Sequence, residues 1–228
     1  MSRQTLIIDA DDTLWENNIY FDRAVEAFLD FLAHSALSRV EVRAVLDEIE
    51  LANLGVHGYG SAAFARNMAQ CYEHLAERQI AAADLATVMG FGEQILRQEI
   101  EVIADVEATL AELAPRHDLV LFTKGHPEEQ QLKVDRSGLG AYFARAAIVP
   151  EKDQPAYRQL VAELAAAPHQ TWMVGNSPKS DINPALAVGL NAVFIPHPST
   201  WRLEHQALAN GPGQLLVLDR FADLPGHF

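Results

Sequence analysis

Short apolar runs recur along the chain and end on polar residues, glycine or proline: Thr5–Asp9, Leu119–Thr123, Ala146–Val149, Thr171–Val174, Asn191–Ile195 and Leu215–Leu218. Runs of this length, apolar at nearly every position, are expected of parallel strands covered on both faces. Segments with helical spacing separate most of them, around Val106–Leu113, Glu128–Ser137, Pro155–Ala165 and Asp181–Val188. Strand alternating with helix predicts an α/β domain with a doubly wound, mainly parallel sheet.

The stretch from Tyr20 to Ile103 breaks this alternation. Apolar residues recur at three- and four-residue spacing in four successive stripes: Phe21, Ala24, Val25, Phe28 and Leu32; Val42, Val45, Leu46 and Ile49; Phe64, Met68, Cys71, Tyr72 and Leu75; Leu85, Val88, Met89 and Leu96. Each stripe marks one face of an amphipathic helix. The pattern predicts a four-helix domain, residues 17–103, inserted into a core made of residues 1–16 and 104–228. Gly58-Tyr59-Gly60 follows a helical stripe instead of a strand, so it reads as a hinge between helices and not as a dinucleotide-binding turn.

Composition narrows the picture. The 228 residues are 49% hydrophobic and 21% charged, ordinary globular values, and no run approaches the roughly 20 apolar residues that span a bilayer. The first residues lack the long apolar stretch of a signal peptide, and a single cysteine, Cys71, excludes an internal disulfide. Cys71 falls inside an apolar stripe and reads as core. These features predict a cytoplasmic protein. A net charge of −14, from 17 basic and 31 acidic residues, argues against a nucleic-acid polymer or an anionic membrane as partner. A small anion remains compatible if local cations receive it.

The residues able to do chemistry sit where the apolar runs end, and in open α/β sheets ligands bind outside those strand ends. Asp9-Ala10-Asp11-Asp12-Thr13 closes the first run. Acids this close repel one another, and a bound cation relieves the repulsion; a strand-capping polar turn is the alternative reading. Gly175-Asn176-Ser177-Pro178-Lys179-Ser180-Asp181 follows another run. There Asp181 offers a carboxylate to a hard cation such as magnesium and Asn176 a carbonyl or a hold on a metal-bound water, although Ser180 or Asp181 could equally cap a helix. Thr123-Lys124-Gly125 ends a third run and offers a hydroxyl and N–H groups to a phosphoryl oxygen. Lys152 follows a fourth run and offers a point charge. No paired histidine spacing for zinc occurs, and Ser177 lacks the closing glycine of a nucleophile elbow.

In this order, strand–Asp-x-Asp-x-Thr, strand–Thr, Lys, strand–Gly-(Asp/Asn)-x-x-x-x-Asp, the motifs resemble those of the haloacid dehalogenase (HAD) superfamily of phosphohydrolases, whose Rossmann-like core carries an inserted, mobile cap. The resemblance covers nearly the whole chain. It implies Asp9 as nucleophile through an aspartyl-phosphate, Asp11 as general acid/base, and Thr123, Lys124 and Lys152 as phosphate-binding residues. It further implies magnesium held by the Asp9 carboxylate, the Asp11 main-chain carbonyl and Asp181, with Asn176 near a metal-bound water. The implied partner is a small phosphorylated metabolite, selected in such proteins largely by the cap; Asn17, Asn18, His57, Tyr59 and Arg66 are the candidates.

Two departures stand out. Asp12 replaces a glycine common in the first motif, and Asn176 stands where many members have aspartate. Dehalogenase members generally lack the second motif aspartate, so Asp11 favours phosphoryl chemistry. A phosphatase is the leading expectation, with a phosphomutase or a non-catalytic phospholigand-binding protein as alternatives.

Overall fold

A computed structural model describes residues 3–228. Among these residues six strands form one parallel sheet: β1 (Thr5–Ile8), β2 (Asp118–Lys124), β3 (Arg145–Val149), β4 (Thr171–Gly175), β5 (Asn191–Phe194) and β6 (Leu215–Val217), in the order β3-β2-β1-β4-β5-β6. The central strand β1 pairs on one side with β2, Thr5 opposite Asp118, and on the other with β4, Thr5 opposite Thr171. The order reverses direction at β1, and this topological switch opens a crevice at the carboxyl ends of β1 and β4.

Alternate residues of each strand face opposite sides, and both sides are covered. Leu6, Ile8, Leu119, Leu121 and Val174 pack with Val106, Leu110 and Leu113 of α5 (Val106–Leu113) and with Phe221, Leu224 and Phe228. Ile7, Val120, Phe122 and Met173 pack on the other side with Tyr157 and Leu160 of α7 (Gln154–Leu164) and with Ala185 of α8 (Asn183–Ala187). Helix α6 (Pro127–Ser137) begins at a proline and ends at Gly138, which takes a left-handed conformation with φ 72°.

The chain separates into two compact units, Met1–Asn18 with Ile100–Phe228, and Ile19–Glu99. The connecting segments pair within the first unit: Glu16 N–H donates to Glu101 O at 2.9 Å and Ile103 N–H to Leu14 O at 3.0 Å. These bonds draw residues on both sides of the insertion into the α/β unit.

The second unit contains most of α1 (Asn18–Leu32), then α2 (Arg39–His57), α3 (Ser61–Leu75) and α4 (Ala82–Glu93). Its core gathers the apolar stripes, including Phe28, Leu46, Met68, Tyr72 and Val88, and buries Cys71. Helix α2 starts at a Ser38–Glu41 capping box, and Gly58 and Gly60 form the turn into α3. Among the described residues no helix is long and apolar enough to cross a membrane.

Candidate active site

The strand ends bring Asp9, Thr13, Lys152, Asn176 and Asp181 together. Asp9 is anchored through its N–H to Val174 O at 2.9 Å, and its carboxylate accepts from Thr13 Oγ1 at 3.0 Å and from Lys152 Nζ. The same ammonium donates to Asp181 Oδ1 at 2.8 Å. Lys152 is 2% exposed and Asp181 1%, so two buried carboxylates share one buried ammonium.

That imbalance shifts both partners upward. Burial, followed by Asp181, pushes the Asp9 carboxyl up to about 7 against the pull of Lys152. Burial alone would lower Lys152, but Asp181 and Asp9 outweigh it and hold the ammonium above its ordinary value.

Asp181 lies in a loop built to hold it. A π-type turn, Pro178–Ile182, follows β4, and Ser177 starts it by accepting from Ser180 N–H at 2.9 Å. Asp181 Oδ2 accepts from Ser177 N–H at 2.9 Å, and Tyr157 Oη donates to the Ser180 carbonyl at 2.9 Å. Gly175 makes room for the carboxylate, since a Cβ there would collide with Asp181 Oδ2. Asn176 donates to Thr200 Oγ1 at 2.8 Å.

This donor set fits a hard divalent cation. It consists of oxygens only, its two carboxylates are short of positive charge, and glycine leaves the space that Asp181 fills. Among the described residues, a separate group of three, Asp12, Glu16 and His197, brings potential ligand atoms within 4.8 Å of one another. There Asp12 accepts the N–H groups of Asn17 and Asn18 at 2.8 and 3.0 Å, and His197 Nδ1 accepts from Ser199 N–H at 3.3 Å.

Asp12 explains how a side chain is accommodated where glycine is common. Its backbone is left-handed, with φ 59°, a conformation that Asp tolerates better than most residues. Its carboxylate supports the chain entering α1. Burial pushes that carboxyl up to about 7, against the two N–H bonds.

The Asp11 carboxylate is half-buried and accepts from Trp15 Nε1 at 2.8 Å, Gln130 Nε2 at 3.1 Å and Lys133 Nζ at 2.9 and 3.0 Å. Thr123, buried at the end of β2, accepts from Gln130 Nε2 at 2.6 Å. The Lys124 ammonium is engaged with Glu204 at 2.7 Å and Ser180 Oγ at 2.8 Å. Glu204 is itself buried; burial works to raise its carboxyl, but Lys124 and the hydroxyls of Ser177 and Ser180 hold it below its ordinary value.

Of the substrate-selecting candidates, Asn17 accepts from Lys133 at 2.8 Å and Asn18 is buried at the start of α1. His57 and Arg66 are exposed and Tyr59 half-buried, all three in the helical unit. Sequence reasoning missed Gln130, Lys133 and Glu204. The first two carried a faint signal, lying three residues apart and sharing a helix face with the apolar Val134.

A family model for haloacid dehalogenase-like hydrolases matches residues 4–189. Among curated proteins, the phosphoserine phosphatase of Thermus thermophilus is 30% identical over 105 residues, a stretch covering 43% of this chain and 42% of that protein. The match therefore spans less than half of that relative. A haloacid dehalogenase-like family hydrolase from Xanthomonas campestris superposes with a TM-score of 0.85 at 29% identity, covering 99% of this chain and 90% of that one. The L-2-haloacid dehalogenase of Xanthobacter autotrophicus, with chloropropionic acid covalently bound, superposes at 0.65 and 16% identity over 98% and 97% of the two chains, a likeness of fold. With the family match running from β1 to the end of α8 and carrying every strand-end acid described above, this chain belongs to the haloacid dehalogenase-like hydrolases.

Proposed function

We propose that the chain is a magnesium-dependent phosphatase that hydrolyses a small phosphate monoester through an aspartyl-phosphate on Asp9. The observation that carries this reading is the second acid of the first motif. Asp11 stands two residues after Asp9, with its carboxylate held by Trp15, Gln130 and Lys133. A haloacid dehalogenase needs no such acid/base to protonate a departing halide, whereas an alkoxide leaving group does. The partial likeness to a phosphoserine phosphatase points the same way.

In this reading an Asp9 oxygen attacks phosphorus while Asp11 gives a proton to the departing alkoxide. Asp11 then takes a proton from the water that attacks the aspartyl-phosphate and frees Asp9. Thr123 and Lys152 hold the phosphoryl oxygens; Thr123, which accepts from Gln130, keeps its own O–H to donate. The Asp9 and Asp181 carboxylates and the Asp11 main-chain carbonyl would hold magnesium, with Asn176 placed to bind one of its waters. Bound there, magnesium supplies positive charge against the negative charge that spreads over the transferring oxygens.

Lys124 contributes through its backbone in this reading, because its ammonium is committed to Glu204. The helical insertion, Ile19–Glu99, is the cap in this reading and the part that sorts substrates, with His57, Tyr59 and Arg66 as the residues to vary.

The test is phosphate and halide release measured side by side on a panel of phosphorylated sugars, nucleotides, small phospho-acids and 2-haloacids, with magnesium and with chelator. Chelator-sensitive phosphate release without halide release is the expected result. Halide release, or phosphate release indifferent to chelator, overturns the reading.

A further inference from the structure

A polar residue on a helix over a sheet usually faces solvent, and burying a lysine or an amide costs several kcal/mol unless its hydrogen bonds are replaced. Helix α6 departs from this rule at three places, Glu129, Gln130 and Lys133. Glu128, Gln131, Asp135 and Arg136 are exposed, but Gln130 and Lys133, nearly one turn apart, are 3% and 8% exposed. Both point to the same acceptor.

Lys133 Nζ contacts both oxygens of Asp11, at 3.0 and 2.9 Å, and also Asn17 Oδ1 at 2.8 Å. Gln130 Nε2 contacts Asp11 Oδ2 at 3.1 Å and Thr123 Oγ1 at 2.6 Å. A carboxylate only accepts, so the amide nitrogen has to be the atom that faces it. The approach of Gln130 relies on Gly125, whose φ is +143° and where a Cβ would lie 3.1 Å from Gln130 Cγ. Trp15 Nε1 completes the set on Asp11 Oδ1.

We propose that Gln130 and Lys133 are positioning residues that aim Asp11: together with Trp15 they fix both oxygens of the acid/base carboxylate, and through Gln130 they fix it relative to Thr123. This rests on the phosphatase reading above and adds to it two residues outside the four motifs. A carboxylate free to turn about χ1 and χ2 spends little time in line with a leaving oxygen, and a misplacement of about 1 Å can cost 100-fold in rate. Four donor contacts remove that freedom.

The experiment is a double-mutant cycle on the full chain, reading single-turnover release of phenol from phenyl phosphate with magnesium present. Lys133→Met should slow release about 10- to 100-fold while changing the concentration for half-saturation less than about threefold. In an Asp11→Asn background the same change should alter the rate less than about twofold, because a residue acting only through Asp11 has nothing left to aim. Gln130→Leu should repeat the pattern with a smaller loss and carries the cycle by itself should Lys133→Met fail to fold. Losses that multiply across the cycle, or a Lys133→Met rate within twofold of wild type, overturn the proposal. Wild-type protein that releases no phosphate from any ester overturns the phosphatase reading instead.

Discussion

Asp12 is a buried acid in the place of a common glycine, and replacing it with asparagine isolates what its charge costs. The amide side chain of Asp12→Asn would keep an oxygen for the Asn17 and Asn18 N–H groups, and asparagine is itself at ease near φ 59°. Burial moves the Asp12 carboxyl from its ordinary 3.8 to about 7. The native state therefore holds this proton longer than the unfolded chain does, and stability falls as pH rises from about 4 to about 7. Above that window the penalty on the charged form is about 4 kcal/mol; near pH 5 it is under half of that. The substitution removes the penalty but turns an NH2 group toward the Asn18 N–H, at a pH-independent cost of about 1–3 kcal/mol. The quantity to measure is the difference between Asp12→Asn and wild type by urea denaturation in chelator, at about pH 5 and about pH 8. The variant should gain about 2–3 kcal/mol relative to wild type between the two conditions. Asp9 titrates in the same window but is common to both proteins, so it largely cancels. A difference from wild type that is the same at both pH values refutes the reasoning.

Other outcomes follow from the same geometry. Asp9→Asn should abolish turnover in a steady-state phosphate assay, since an amide is no nucleophile. Asp181→Ala should raise the magnesium needed for half-maximal activity by a large factor and Asn176→Ala by less, because a carboxylate brings a full charge and an amide only a dipole; magnesium titrations of both variants check the order. Lys152→Met leaves two buried carboxylates without their ammonium and should cost about 3–5 kcal/mol in chelator, part of it recovered by magnesium in the same urea melts. Gly175→Ala forces a Cβ onto Asp181 and should weaken magnesium binding and stability together, read by the same titration and melt.

Much of the fold is legible because the sheet is covered on both faces. Residues such as Leu6–Ile8 and Leu119–Phe122 are apolar at every position, and no turn residue interrupts them. The acids after β1 and β4 are legible for a related reason, since polar residues that abruptly end an apolar run fall at the rim of the sheet. Gln130 and Lys133 are not, because they sit in Glu128-Glu129-Gln130-Gln131-Leu132-Lys133, where only tertiary packing decides which polar residues turn inward. Glu204 is hidden for the same reason in the short 3-10 helix Arg202–Glu204, and its partners Ser177, Ser180 and Lys124 come from two other strand ends. The segments flanking the insertion follow no apolar pattern either; the Glu16–Glu101 and Leu14–Ile103 bonds that hold them are invisible in the linear chain.

The position of β1 at the centre of the sheet sets a problem for biosynthesis. Its partners Asp118–Leu121 and Thr171–Val174 are translated more than a hundred residues later, so Leu6, Ile7 and Ile8 wait unpaired while the helical insertion, whose contacts are local, can form ahead of them. A bare apolar strand is an aggregation hazard, and charges flanking it are the usual safeguard. Asp9, Asp11 and Asp12 stand immediately beside it, ionised and hydrated in the nascent chain, well before burial makes the charges on Asp9 and Asp12 costly. In the proposed reaction two of these carboxylates, Asp9 and Asp11, would thus act twice in the life of the protein, first as gatekeepers on the ribosome and later in catalysis at the strand end.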